Sequence, residues 1–478
     1  MSFVPKNFSK KNTFIGRKNE ISKLRSIIDK KDPSIVIVYG RRRIGKTFFI
    51  EQHLANRNLI KIEGIQGLNQ KEQLQHATKQ LQSYWNDATL KKVKIENWSD
   101  FFEIIHEKTK NQKFTLYLEE LQWLASYDSQ LISYLKFAWD NYFEKNPNFI
   151  LVLCGSSPSF MINKVIHSKA LHNRSEYVFP INPFSLDETK EFMGSRYSKM
   201  ELMDAHLLSG GIPQYLKYLK SGHSVFQNLC ENSFLPGSFF CLEYEKIFTS
   251  SLAANSHYKK LIEVISKNRS IDRTKIAEKL KIQSGGTLTD LLTDLQACHF
   301  IEKQTPYQLS DNSTLNRYII QDSYLHFYFQ FIKPILSKID KGDFSKNPTS
   351  ALSTTHYRSW LGLAFERWCR SNHTTIAEIL QIAGVQYTSG CYFTRTDSDI
   401  SAQIDLLFDR QDRVITVCEI KYQEGPINKK IIPAFERKLQ TLKTKKTIQK
   451  VLITASELEP SLERMHYFDK VISLDDLI

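Results

Sequence analysis

Four short apolar runs recur in the first third of the chain: Ile35 to Val38, Leu59 to Ile62 around Lys61, Phe114 to Leu118, and Phe149 to Cys154. Runs of this length, bounded by polar and turn residues, read as strands buried on both faces, the habit of a parallel sheet. The segments between them carry helical spacing. Ile21, Leu24, Ile27 and Ile28 share one side of a helix, and a glutamine-rich stretch from 69 to 86 is helical too. Strand and helix in alternation predict an α/β fold.

The rhythm changes near His257. Leu261, Ile262 and Ile265 mark one helix, Ile276, Ala277 and Leu280 a second, and Leu288, Leu291, Leu292 and Leu295 a third that follows Gly285-Gly286. Phe300 to Lys303 and Tyr307 to Leu309 then suggest a hairpin turned by Thr305-Pro306, completing a winged-helix outline. Such a unit can lay its third helix in a DNA groove. Thr287, Thr289 and Asp290 offer little for base reading and Lys279, Lys281 and Lys303 few phosphate contacts, so weak DNA contact and a mechanical spacer both stand. The dense aromatics from Tyr318 to Phe331 are expected to pack inward. The polar run from Ser337 to Thr355 reads as a linker.

Beyond it a helix around Trp360 to Cys369 precedes two strands, Gln403 to Phe408 and Val414 to Lys421, joined by the polar turn Asp409 to Arg413. A helix from Pro433 to Thr444, a core strand Val451 to Thr454 and an edge segment Val471 to Leu474 close the chain. The boundaries predicted are a sheet core over 1–190, a helical lid over 191–254 with Gly210-Gly211-Ile212-Pro213 as its hinge, a winged-helix and aromatic connector over 255–336, the linker 337–355, and a second α/β domain over 356–478.

Composition changes this picture little. With 478 residues the chain exceeds a single core, and 41% hydrophobic against 24% charged residues is ordinary for a folded protein. No apolar run suits a bilayer and the opening MSFVPKNFSKKN lacks the apolar centre of a secretory signal, so no membrane association is expected. The seven cysteines form no CxxC pair and no zinc spacing, which fits a reducing cytoplasm. The net charge of +14 admits a polyanionic partner. Residues 351–478 carry 17 Lys+Arg against 16 Asp+Glu, so the basic excess lies upstream.

Chemistry concentrates at two places. Gly40-Arg41-Arg42-Arg43-Ile44-Gly45-Lys46-Thr47 follows the first strand and opens a helix, the spelling and setting of a P-loop. Gly40 and Gly45 let the backbone present its N–H groups to an anion, Lys46 can reach the outer phosphates, and Thr47 can hold Mg²⁺. At the end of the third strand Glu119 stands where a metal-holding aspartate is usual, and Glu120 is the candidate base that polarises water. Ser156 and Ser157, after the fourth strand, are equivalent candidates to sense the terminal phosphate. Arg17 can approach the nucleotide from outside the loop, and Arg174 can serve in cis or reach a neighbouring subunit's phosphate. In the last domain, strand alternation puts Gln403 and Asp405 on one face of the first strand and Glu419 and Lys421 on one face of the second, and a hairpin can bring all four together. Asp405, Glu419 and the Ile420 carbonyl are hard ligands for Mg²⁺ or Mn²⁺, Glu366 can supply an outer ligand, and Lys421 can hold the water or stabilise developing charge. Arg437, Lys438, Lys443, Lys445, Lys446 and Lys450 can neutralise phosphates beside it.

FIGR at 14–17, YGRRRIGKT at 39–47, LEELQWL at 118–124, LCGSSPSFM at 153–161 and GGIPQYL at 210–216 together resemble the archaeal-type ATPases, a branch of the AAA+ and signal-transducing P-loop ATPases. The resemblance implies phosphate and metal roles for Lys46 and Thr47, a hydrolytic role for Glu120 and a sensor at Ser156 or Ser157. The family favours Asp at position 119. LAFERW, QIDLLF and VCEIKY, over 355–478, resemble the restriction-endonuclease-like PD-(D/E)xK fold that accompanies these ATPases. That resemblance implies a metal-and-water site at Asp405, Glu419 and Lys421, with Glu366 as the helical acid. The joint expectation is an α/β protein with a P-loop ATPase sheet, helical lid, winged-helix middle and restriction-endonuclease-like C-terminal domain. It would be an ATP-regulated, metal-dependent DNA endonuclease with ATP and Mg²⁺ as cofactors, DNA as partner, homo-oligomer formation or a partner protein, and a defence setting. A DNA-binding ATPase with a non-cleaving clamp, and a nucleotide-controlled oligomeric scaffold, are the rivals.

Overall fold

The computed structural model describes residues 14–478 except 88–89, 91–92, 111, 172–173, 175–176, 221, 253–255, 269, 306–315 and 397–398. The opening segment read for a signal, and Pro306 to Leu309 of the expected hairpin, therefore lie outside the described residues. By its contacts the chain divides into two units, 1–184 with 249–253, and 185–248 with 254–478.

The first unit is built on β1 (Ser34–Tyr39), β2 (Asn58–Glu63), β3 (Phe114–Glu119), β4 (Phe149–Gly155) and β5 (Tyr177–Pro180). They lie in the order β2-β3-β4-β1-β5, all parallel. The four apolar runs of the sequence became β1 to β4, and every residue of β3 and β4 is buried. Helices Gln70–Trp85, Trp98–Thr109 and Gln130–Asn141 seal one face through Leu81, Phe101, Phe102, Ile105 and Leu135. Asn69 and Asn97 each start their helix with a reciprocal cap to the residue three on. In a parallel sheet all carboxyl ends point one way, so the P-loop after β1, Glu120 after β3 and Ser156 after β4 meet at one edge.

The second unit begins with helices Leu186–Met193, Lys199–Ser209, Pro213–Leu219 and Val225–Phe234. Ser256–Ser266, Arg273–Leu280 and Gly286–Ala297 are the three helices expected of the winged-helix outline. Their small sheet joins β6 (Ile271–Asp272), β7 (Ile301–Gln304) and β8 (Arg317–Ile320) in the order β6-β8-β7. β7 is the expected first arm of the hairpin, but its partner is β8, which lies partly in the aromatic run. The rest of that run packs inward. Tyr324, Phe327 and Tyr328 are buried, and the Tyr328 ring stacks on Tyr244 at 4.5 Å. The expected linker is folded instead into short helical turns, Leu336–Asp340 and Pro348–Ala351, because isolated apolar residues within the polar run, Ile339 and Leu352, find the core.

The last sheet holds β9 (Tyr387–Thr396), β10 (Asp399–Arg410), β11 (Val414–Lys421), β12 (Thr447–Thr454) and β13 (Lys470–Ile472), in the order β13-β12-β11-β10-β9. β10 runs antiparallel to both β9 and β11, while β12 and β13 run parallel to β11. Helix Thr354–Ser371 precedes this sheet and helix Ile431–Gln440 joins β11 to β12.

Candidate functional sites

The P-loop leaves β1 through Gly40, whose φ of +149° few side chains adopt. A Cβ there would lie 2.3 Å from the carbonyl oxygen of Ile181 and 2.6 Å from Ile44 Cδ1. Gly45 takes φ +89° with open space around it, and helix Lys46–Leu54 starts at once. Lys46 Nζ lies inside the loop, donating to the carbonyls of Gly40 at 2.9 Å and Arg41 at 3.0 Å. Its ammonium is thus held at the centre of the turn that the sequence predicts as a phosphate cradle.

Glu119, at the end of β3, is only 6% exposed and saturated with donors. Thr47 Oγ1 and Tyr117 Oη donate to Oε1, and Lys61 Nζ lies 2.8 Å from Oε2. Burial pushes the carboxyl up, but the bonds from Lys61, Thr47 and Tyr117 outweigh it and hold it below the usual carboxylate range. Thr47 and Glu119, the two hard oxygen donors expected for Mg²⁺, are hydrogen-bonded directly to each other.

Glu120 adopts a left-handed backbone, φ +51°, at the turn from β3 into helix Leu121–Leu124. Its Oε2 accepts from Ser156 Oγ at 2.5 Å and Gln122 Nε2 at 2.7 Å. Gln122 also donates to Ser156 Oγ at 3.0 Å. The two serines left open by the sequence therefore differ: Ser156 joins Glu120, whereas Ser157 is buried at the start of the next helical turn and gives its carbonyl to Met161. Gln122 was missed, although it stands within LEELQWL.

Two arginines lie elsewhere than at an outer approach to phosphate. Arg17 is 5% exposed and donates to the carbonyls of Ile44 at 2.6 Å and Asn182 at 2.9 Å, with its guanidinium over the Phe184 ring. It braces the P-loop from beneath. Arg174 forms a two-pronged pair with Asp140, at 2.6 and 3.1 Å, and lines a cleft with Lys30, Ser34, Trp139 and Tyr177 at the amino ends of β1 and β5. Six-residue β1 separates that end from the P-loop, roughly 20 Å of strand, so Arg174 does not serve in cis.

In the last sheet the β10–β11 ladder runs to Leu406 opposite Cys418, and Asp405 and Glu419 are the next residues on the two strands. Both are buried. Glu419 lies between two ammonium groups, Lys421 Nζ at 2.7 Å from Oε1 and Lys438 Nζ at 2.7 Å from Oε2. Asp405 Oδ1 accepts from Gln403 at 2.8 Å, and Arg370 lies 3.9 Å away. Asp405 and Glu419 thus lie next to the last paired residues of neighbouring strands, with Lys421 two residues beyond Glu419 on β11.

The expected three-acid metal set does not assemble. Among the described residues no group of three His, Cys, Asp or Glu side chains is placed to hold a metal. Glu366 lies on helix Thr354–Ser371 between the packed Phe365 and Arg367, and cations occupy the Glu419 carboxylate instead. The neighbouring lysines do not all face outward for phosphates either. Lys438 is spent on Glu419, Lys446 on Asp409 and the Arg410 carbonyl, and Lys450 on Glu436. In the middle segment Thr289 Oγ1 accepts from Arg273 and donates to the Gly285 carbonyl, which occupies a residue considered for base reading.

One more contact ties the helical segment to this sheet within the second unit. Tyr422, next to Lys421, donates to Asp204 Oδ1 at 2.5 Å on helix Lys199–Ser209, and its ring packs 5.0 Å from Phe365. Burial pushes the Asp204 carboxyl up to about 6, the Tyr422 bond opposes this, and the charges of Glu201 and Glu424 add to it. His206 on the same helix bonds Thr189, and burial lowers it to about 4.

Residues 14–219 match the family model of an ATPase domain predominantly from Archaea, so the front of the chain carries an archaeal-type ATPase domain. An uncharacterised protein of Methanocaldococcus jannaschii is 29% identical over 356 residues, which cover 74% of this chain and 76% of that protein. Among solved structures, a Walker-type ATPase of Pyrococcus abyssi is similar with a TM-score of 0.46 and 18% identity, covering 66% of this chain and 96% of its own. The ORC2 protein of Aeropyrum pernix, in complexes with ADPNP and ADP, is similar with a TM-score of 0.46 and 10% identity, covering 70% and 98%. No helix among the described residues is long and apolar enough to cross a membrane.

Proposed function

We propose that the protein binds and hydrolyses ATP, with Glu120 as the base. The observation that carries this reading is the meeting of Glu120 with Ser156 and Gln122 at the sheet edge where the P-loop opens. Lys46 and the loop amides receive the phosphates, and the Ser156 and Gln122 donors aim the Glu120 carboxylate at an attacking water. Mg²⁺ at Thr47 and Glu119 would supply charge neutralisation for the outer phosphates. Released phosphate and binding of a fluorescent nucleotide test the assignment. Lys46→Ala should lose binding, while Glu120→Gln should keep it and lower turnover by about 10²- to 10⁴-fold. Turnover at the parent rate in Glu120→Gln refutes the reading.

A second reading is favoured by the convergence of Asp405, Glu419 and Lys421: metal-dependent cleavage of DNA by the C-terminal sheet domain, regulated by nucleotide. From helix Thr354–Ser371 to β12 the elements run ααβββαβ, and apart from the short second helix, His373–Ile379, this order supports the restriction-endonuclease-like resemblance. Asp405 and Glu419 are its acids and Lys421 its water-holding cation. Linear, circular, single-stranded and branched DNA with Mg²⁺ or Mn²⁺, with and without ATP, tests it beside Asp405→Asn. Metal-independent binding without cutting would favour a clamp, and nucleotide-dependent mass without DNA binding a scaffold.

A further inference from the structure

Lys61 played no part in the chemistry drawn from the sequence, because a lone lysine inside an apolar run gives no sign of its partner. It sits on β2, beside β3, in register with Tyr117. Its ammonium reaches the metal-side carboxylate, 2.8 Å from Glu119 Oε2, and lies 3.2 Å from Glu51 on the P-loop helix and 3.9 Å from Glu63. An aspartate at position 119 would be one methylene shorter. The glutamate present here reaches Thr47 with one oxygen and Lys61 with the other.

We propose that Lys61 is a positioning residue that sets the metal requirement of the nucleotide site, because its ammonium and a divalent cation compete for the Glu119 carboxylate. The proposal rests on the ATP-binding reading above. A carboxylate neutralised by an adjacent ammonium attracts a second cation less strongly, and two like charges sharing one acid repel. Glu51 provides the alternative seat. It is a partly exposed acid within reach of the same ammonium, so Lys61 can turn to it when Glu119 engages the metal. Binding of the nucleotide–metal pair is then coupled to a side-chain exchange between β3 and the P-loop helix. Nucleotide alone, which makes no demand on Glu119, is indifferent to that exchange.

The test uses the full chain and a ribose-labelled fluorescent ADP, titrated first in chelator and then with Mg²⁺ at fixed nucleotide. Lys61→Met and Lys61→Gln remove the competing charge and should lower the Mg²⁺ concentration at half-saturation about tenfold. Lys61→Arg should keep it near that of the parent, and affinity in chelator should stay within about twofold for all three. An unchanged Mg²⁺ midpoint in the folded neutral variants, or an equal fall in Lys61→Arg, overturns the proposal. Two neutral variants of different shape guard against one failing to fold. Lys46→Ala separates the two ideas: if it binds the labelled nucleotide as tightly as the parent, the nucleotide-site reading itself fails.

Discussion

Replacing Asp204 by Asn should stabilise the protein at neutral pH. The carboxyl is pushed to about 6 from an ordinary 3.8, chiefly by burial, so folding favours its protonated form. A group raised in this way lends stability that is full below its unfolded pKa and lost as pH climbs through the folded one, here between about pH 4 and pH 6.5. A rise of that size is worth about 3 kcal/mol, and partial exposure of the carboxyl reduces this to about 2 kcal/mol at pH 7.5. Asparagine has nearly the same shape, carries no charge, and still accepts from the Tyr422 hydroxyl. Differential scanning calorimetry should therefore show the Asp204→Asn transition about 5 °C above the parent at pH 7.5, with the gap closing towards pH 4. A gap of the same size at every pH, or a lower midpoint for the variant at pH 7.5, would refute the account. The second result would mean that the bond from Tyr422 stabilises the charged carboxylate more than burial opposes it.

Gly40→Ala should abolish binding of labelled nucleotide, since its methyl would lie 2.3 Å from a backbone oxygen, whereas Gly45→Ala meets no atom and should cost only about 1–2 kcal/mol of backbone strain. Equal affinity in both variants would sink that distinction. Lys438→Met should leave Glu419, 2% exposed, with Lys421 alone, lowering stability by about 1–3 kcal/mol. A double-mutant cycle with Glu419→Gln should return a coupling of about 1 kcal/mol or more, and zero coupling would count against the pair.

The parts legible in the sequence are those that local pattern dictates. Short apolar runs mark β1 to β4, broken by Lys61 in β2, and the glycine spacing marks the turn between β1 and helix Lys46–Leu54. Alternation also placed Asp405 and Glu419 at neighbouring strand positions. Partner choice was not legible, because it depends on which elements pack together. Lys61 and Gln122 look like ordinary polar residues until β2, β3 and β4 lie side by side. β9 escaped notice because Tyr387 to Thr396 mixes threonine, serine and glycine with few aliphatic residues, so no strand run stands out. The linker reading failed for a related reason: one buried isoleucine and one buried leucine suffice to seat a polar segment, and composition averages them away. The three-acid cage needed the orientation of helix Thr354–Ser371, which its own periodicity does not supply.

The bond between Tyr422 and Asp204 bears on how this chain can be divided. The stretch matching the ATPase family ends at 219, yet the contact boundary falls before Ser185, so helices Leu186–Met193, Lys199–Ser209 and Pro213–Leu219 belong physically with the tail. A recombinant fragment begun at residue 356 would expose Tyr422 and the Trp368 ring, which faces His206, to water. One begun at Ser185 keeps both covered. Any exchange of this tail between proteins, in the laboratory or in evolution, succeeds most readily when those three helices travel with it.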